Sequence, residues 1–166
     1  MDSFSESMQE YKKQLDKGKI QYAYRGLMQY IMDLRVYLKN KFPEYSVSGI
    51  YYGYMDMTYF SFSPDSLKNR KLKIAIVFLH ETFQFEVWLA GANKMVQNRY
   101  WELVKEGTWH GYHIPSKPQE VDSIMEHVLV ENPNFSDLNK LTQQIERGSL
   151  EFITDVSNFL SKHDLK

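Results

Sequence analysis

Residues 72–79, LKIAIVFL, constrain this chain more than any other stretch. In a strand, successive side chains alternate between the two faces. Ile74, Ile76 and Phe78 would then point one way, and Ala75, Val77 and Leu79 the other. A strand apolar on both sides belongs at the centre of a sheet, covered on both faces. After the tight polar connection His80-Glu81-Thr82, residues 84–90 alternate more cleanly. Phe85, Val87 and Leu89 share one face, and Glu86, Trp88 and Ala90 share the other. The two runs should pair as a hairpin.

Further strands are expected over Val47–Tyr52 and Met55–Phe62, with Gly53 bending or breaking that pair. Ser63-Pro64-Asp65-Ser66 starts a turn, which the basic stretch Lys68–Lys71 continues. Ahead of the strands, Ser5–Asp16 reads as a short polar helix stopping near Gly18. A stronger helix covers Lys19–Lys41, where Ile20, Tyr24, Leu27, Met28, Ile31, Leu34 and Leu38 recur at helical spacing before Pro43. After the strands, a helix is expected over about Ala92–Glu106, then a long aromatic-rich loop over Gly107–Gln119. Residues 121–130 fit either a helix or a strand, and their valine content favours an edge strand. Two helices should close the chain, one starting near Phe135 or Ser136 and one over Leu150–Lys162. The expected fold is therefore α+β: an antiparallel β-meander of three to five strands with helices packed on it. The order is roughly α-α-β-β-β-β-α-β-α-α, in one domain over residues 1–166.

With no cysteine, disulfides, thiolate metal sites and cysteine nucleophiles are excluded, and a reducing compartment is suited. The polar N-terminal stretch has no apolar core of a signal peptide, so a cytoplasmic location is expected. No run has the apolar length needed to span a bilayer. A net charge of −1 gives no electrostatic reason to expect nucleic acid or an anionic membrane as partner. The charge is uneven. Residues 1–118 carry 16 Lys+Arg against 12 Asp+Glu, and residues 119–166 carry 4 against 9, so the last third is acidic.

Three sets of residues could carry chemistry. Asp56 and Glu86, with Lys73 beside them, could form an acid–base pair if they face one cavity. His110 and His113, three apart on the loop, could share a metal ion, but zinc would need further ligands such as His80, Glu81 or His127. The aromatic set is the richest. The chain holds 12 Tyr, 10 Phe and 3 Trp, and Tyr and Trp suit half-buried pocket walls and interfaces. Tyr51, Tyr52, Tyr54, Tyr59 and Trp88, with Trp109 and Tyr112 from the loop, would line a pocket or a subunit contact wherever helices leave the sheet uncovered.

The segments YMDMTYFSF (Tyr54–Phe62) and LKIAIVFLHETFQFEVWLAG (Leu72–Gly91) resemble a family of uncharacterised bacterial proteins. So do Asn93, Lys94, Gln97, Tyr100 and Trp101, and VLVENPNFSDL near the tail. The resemblance covers most of the chain and implies no activity. The element order is also similar to the core of PD-(D/E)XK nucleases. That likeness would place Mg²⁺ on Asp56 and Glu86, with a lysine two residues after the glutamate. Residue 88 is Trp, so Lys73 or Lys94 would have to stand in.

No cofactor is implied. The function expected is a non-catalytic binding or interaction module, homodimeric, with a small-molecule ligand as a further possible partner. Its contact residues would be Tyr52, Tyr54, Tyr59, Trp88, Trp109, His110, Tyr112 and His113. The alternative is a divergent metal-dependent nuclease or hydrolase using Asp56 and Glu86.

Overall fold

The computed structural model describes residues 3–163. The chain divides into two compact units between Val36 and Tyr37. The first holds α1 (Phe4–Asp16) and most of α2 (Lys19–Lys41). A capping box starts α1: Ser3 Oγ accepts from the Glu6 N–H at 3.2 Å, and Glu6 accepts from the Ser3 N–H at 2.6 Å. The apolar stripe of α2 is buried at Tyr30, Ile31 and Leu34, and at Leu38 beyond the division.

The second unit carries a five-stranded antiparallel sheet in the order β1-β2-β3-β4-β5: Ser46–Val47, Met57–Ser63, Leu72–Leu79, Gln84–Gly91 and Met125–Glu131. Three helices accompany it, the one-turn α3 (Asp65–Lys68), α4 (Lys94–Val104) and α5 (Leu138–Lys162). The meander and the α+β class are as expected, β3 is central, and residues 125–131 are an edge strand.

The β3–β4 register sets Lys73 opposite Ala90, Ala75 opposite Trp88, and Val77 opposite Glu86. On β2, Tyr59 lies beside Val77. The opposite face of the sheet is the core. Phe60, Phe62, Ile74, Ile76, Phe78, Phe85, Val87 and Leu89 are all essentially inaccessible. The amphipathic α5 packs along β4 and β5 on that side, burying Leu141, Ile145, Phe152, Ile153, Val156 and Leu160.

Several local expectations are corrected. The first strand shrinks to two residues plus an isolated Tyr51–Tyr59 bridge. There the Ser48 hydroxyl, rather than a main-chain carbonyl, accepts the Ser61 N–H at 2.8 Å. Positive φ at Gly53 and Met55 (74° and 63°) prevents β2 from starting before Met57. The two C-terminal helices are one continuous helix of 25 residues. Gly148, which resembles a helix stop, sits inside it and faces β5, where a Cβ would come 2.6 Å from the movable Leu129 Cδ2. The glycine serves close packing of helix on sheet.

Candidate functional site

The face of the sheet opposite α5 carries Met57 and Tyr59 from β2, Lys73, Ala75 and Val77 from β3, and Trp88 and Ala90 from β4. Over them lies a cavity of about 280 Å³. Its shape follows from side-chain size. Ala75 and Ala90 interrupt a run of bulky residues and leave a low floor, which Val77 completes. The Tyr59 and Trp88 rings stand on either side. Lys73 lies at the edge, its Nζ 5.9 Å from the centre of the Tyr59 ring. Burial raises the Tyr59 phenol above its ordinary pKa, with smaller contributions from Tyr51 and Asp122.

The indole of Trp88 is held in place. Its Nε1 donates to Glu86 Oε1 at 2.9 Å, and Gln84 Nε2 donates to the other carboxylate oxygen at 2.6 Å. Glu86 is itself only 5% exposed. A buried carboxylate receiving two donors is a rigid bracket for the ring beside it.

The remaining wall comes from the strand-to-helix turn. At Gly91 a Cβ would lie 2.6 Å from the Gln97 main-chain nitrogen, so only glycine lets α4 start this close to the sheet. Asn93 caps α4 by accepting from the Val96 N–H at 2.9 Å. Gln97 is buried and donates to the carbonyls of Pro118 (3.0 Å) and Val121 (2.8 Å). Lys94 Nζ also reaches the Val121 carbonyl at 2.9 Å. These bonds pin residues 118–121, and Asp122 follows on the cavity wall. The positive end of the α4 dipole, Lys73 and Lys94 outweigh the single carboxylate of Asp122.

The aromatic set expected to form one surface divides among several places. Tyr59, Trp88 and Lys73 line the cavity. Tyr51 packs on Tyr59 with the rings tilted by 32° and their centres 5.0 Å apart. Tyr52 and Tyr54 lie exposed on the preceding loop, Tyr54 at 93%. Trp109, His110 and Tyr112 border a separate hollow of about 560 Å³ against α5. In it Trp109 packs on Phe159 and the Tyr112 hydroxyl donates to Asp155. That bond and burial raise the phenol of Tyr112 far above its usual pKa, burial contributing most. His113 pairs through its main chain with Glu126 on the β5 edge, bordering a third hollow together with Glu86. Among the described residues, no group of three or more His, Asp or Glu is placed to hold a metal ion.

Asp56 lines neither the cavity on the sheet face nor the hollow that Glu86 borders. The Asp56 carboxylate accepts the Tyr54 N–H at 2.8 Å. That bond, with a second from Met57, holds its pKa below the ordinary value. Sequence reasoning did not find Gln97, Asp122 or the alanine floor as parts of the site. The small residues Ala75, Ala90, Gly91 and Ala92, set in bulky apolar runs, were the available signal.

Among the described residues no helix is long and apolar enough to cross a membrane. No curated protein and no solved structure matches the chain. One family model does match, over residues 4–160, and the chain therefore belongs to the family described as a domain of unknown function, DUF7000.

Proposed function

We propose that this chain is a non-catalytic binding module that holds a small, flat, anionic ligand on the open face of its sheet and works as a homodimer in a reducing cytoplasm. One observation carries the reading: the cavity between the Tyr59 and Trp88 rings, floored by Ala75 and Ala90 and bordered by Lys73. At about 280 Å³ it lies near the lower end of small-molecule pockets, which span roughly 300–1,000 Å³, so the ligand is about one or two rings in size. Aromatic side chains on two sides favour a planar body, and the surplus of positive charge favours an anionic edge. A binding role also suits the two carboxylates of the nuclease alternative. Asp56 is committed to a turn and Glu86 to holding Trp88.

The test is a panel of aromatic monocarboxylates and their neutral amides, followed by amide and indole NMR shifts of the full chain. Binders should move the Trp88 indole and the amides of residues 91–94. The carboxylates should bind at least several-fold more tightly than the amides, a preference that Lys73→Met should abolish. Ala75→Leu, which fills the floor, should remove binding and leave the melting temperature within a few degrees, since the added atoms enter empty space. Equal binding by Ala75→Leu, or shifts scattered away from these residues, would overturn the reading.

A further inference from the structure

Gln97 brings to the cavity wall one polar atom that the fold does not use. The residue is 3% exposed, and both protons of its amide are committed, Nε2 donating to the carbonyls of Pro118 and Val121. Two carbonyl partners fix which end of the amide is the nitrogen. The other end, Oε1, receives no hydrogen bond among the described residues. It is not sealed away either, since Gln97 lines the cavity and the oxygen is open to it. A carbonyl held in this way can only accept.

The polar groups of the cavity gather at one end. Lys73 sits opposite Ala90, next to Gly91, and a Cβ at Gly91 would lie 2.6 Å from the Gln97 main-chain nitrogen. Lys73, Lys94 and Gln97 therefore share the α4 end of the site. Ala75, opposite Trp88, lies two residues further along β3, about 7 Å away at the usual strand rise. A ring resting on Ala75 beside Trp88 turns its substituted edge to the α4 end, where two cations and the Gln97 acceptor stand together. A carboxylate there can meet Lys73 but cannot satisfy Oε1, because both are acceptors. Solvent hydrates that oxygen in an open cavity, and a ligand that displaces the solvent without supplying a donor loses affinity. Asp122 differs, being exposed at the mouth, where water still reaches it. We infer that the ligand is an aromatic carboxylate with an N–H group adjacent to its carboxyl, the carboxylate meeting Lys73 and the N–H donating to Gln97 Oε1. A neutral N–H suits the place better than an ammonium, because Lys94 Nζ shares the Val121 carbonyl with the Gln97 amide. The inference rests on the ligand site proposed above and names its ligand class.

Pairs of ligands alike in size and charge test it on the unaltered full chain by titration calorimetry. They are 2-aminobenzoate against 2-methylbenzoate, and indole-2-carboxylate against benzofuran-2-carboxylate. The N–H member of each pair should bind about tenfold or more tightly, the effect of leaving a buried acceptor unpaired. 4-Aminobenzoate, with its donor at the far end of the ring, should bind within a few-fold of 2-methylbenzoate. By NMR, the Gln97 side-chain carbonyl carbon should shift with 2-aminobenzoate and much less with 2-methylbenzoate. Equal binding within both pairs would overturn the inference while leaving the carboxylate site standing. So would a preference for N–H with no shift at Gln97, since the donor would then be taken up elsewhere. Binding of 4-aminobenzoate as tight as that of 2-aminobenzoate would overturn the adjacency of the two groups. No binding by any of the five at millimolar concentration would overturn the ligand site itself.

Discussion

The two faces of the β2-β3-β4 sheet are built from neighbouring residues of the same strands, yet they are held to different rules. On the α5 side Phe60, Phe62, Ile74, Ile76, Phe78, Phe85, Val87 and Leu89 are all apolar and close to inaccessible. On the other side the same strands alternate Tyr59, Lys73, Ala75, Glu86, Trp88 and Ala90, mixing ring, charge and methyl. The first face maximises apolar area removed from water. The second gives up that area at Ala75 and Ala90 and spends a buried carboxylate on orienting one indole.

The comparison breaks most visibly if one face is exchanged for the other. Phe60→Ala should destabilise the chain by about 3–5 kcal/mol, the usual cost of removing a fully buried aromatic ring. Its neighbour Tyr59, on the opposite face, should lose about 1 kcal/mol or less as Tyr59→Phe, since the ring remains. Urea unfolding of the two variants measures both. Similar losses for Phe60→Ala and Tyr59→Phe would mean that the two faces do not divide core from site.

A smaller effect is expected where the faces meet α4. Gly91→Ala puts a methyl 2.6 Å from the Gln97 nitrogen and 2.9 Å from its Cα, both main-chain atoms that cannot swing aside. The helix must shift, at a cost of about 1–3 kcal/mol. Because Gln97 and Lys94 pin residues 118–121, the shift should carry that segment with it. Amide hydrogen exchange should quicken at residues 118–124 more than along β3. Uniform loosening would show that α4 is not a separate wall of the cavity.

The buried face was the easier one to read in the sequence. Period-two alternation through Phe85, Val87 and Leu89, and the doubly apolar β3, place β3 to the residue and β4 to within one, because burial imposes a regular pattern. The site was read only in its strand residues, Tyr59, Lys73 and Trp88. Gln97 and Asp122 arrive from a helix and a loop that follow the sheet, and no local spacing links them to it. Their positions depend on Gly91 permitting a close turn and on one side-chain amide holding two distant carbonyls. The place of the aromatic loop depends on contacts just as distant in sequence. Main-chain pairing of His113 with Glu126, the residue opposite Trp88 on β5, adds the end of that loop to the sheet, while Trp109 packs on Phe159 of α5.

The smallest effect lies at the polar end of the buried face. His80 closes the β3–β4 hairpin, edge-on to Phe78 at 5.0 Å, with Nε2 2.9 Å from Thr58 Oγ1. The Thr58 hydroxyl donates its one proton to the Tyr52 carbonyl at 2.7 Å, so the imidazole must donate to Thr58 through Nε2–H. Burial depresses the His80 pKa below 6.5, and the nearby Asp56 charge offsets part of that. A depressed folded-state pKa means that the unfolded chain takes up the proton first. The stability from neutral His80 is therefore complete above pH 6.5 and is lost as the pH falls through the folded value. His80→Gln keeps a donor for Thr58 but cannot titrate. It should flatten the decline in stability below pH 6.5 by about 1 kcal/mol or less, against a wild type measured in parallel. An unchanged slope would mean that the ring at the hairpin end is solvated well enough to charge at no cost.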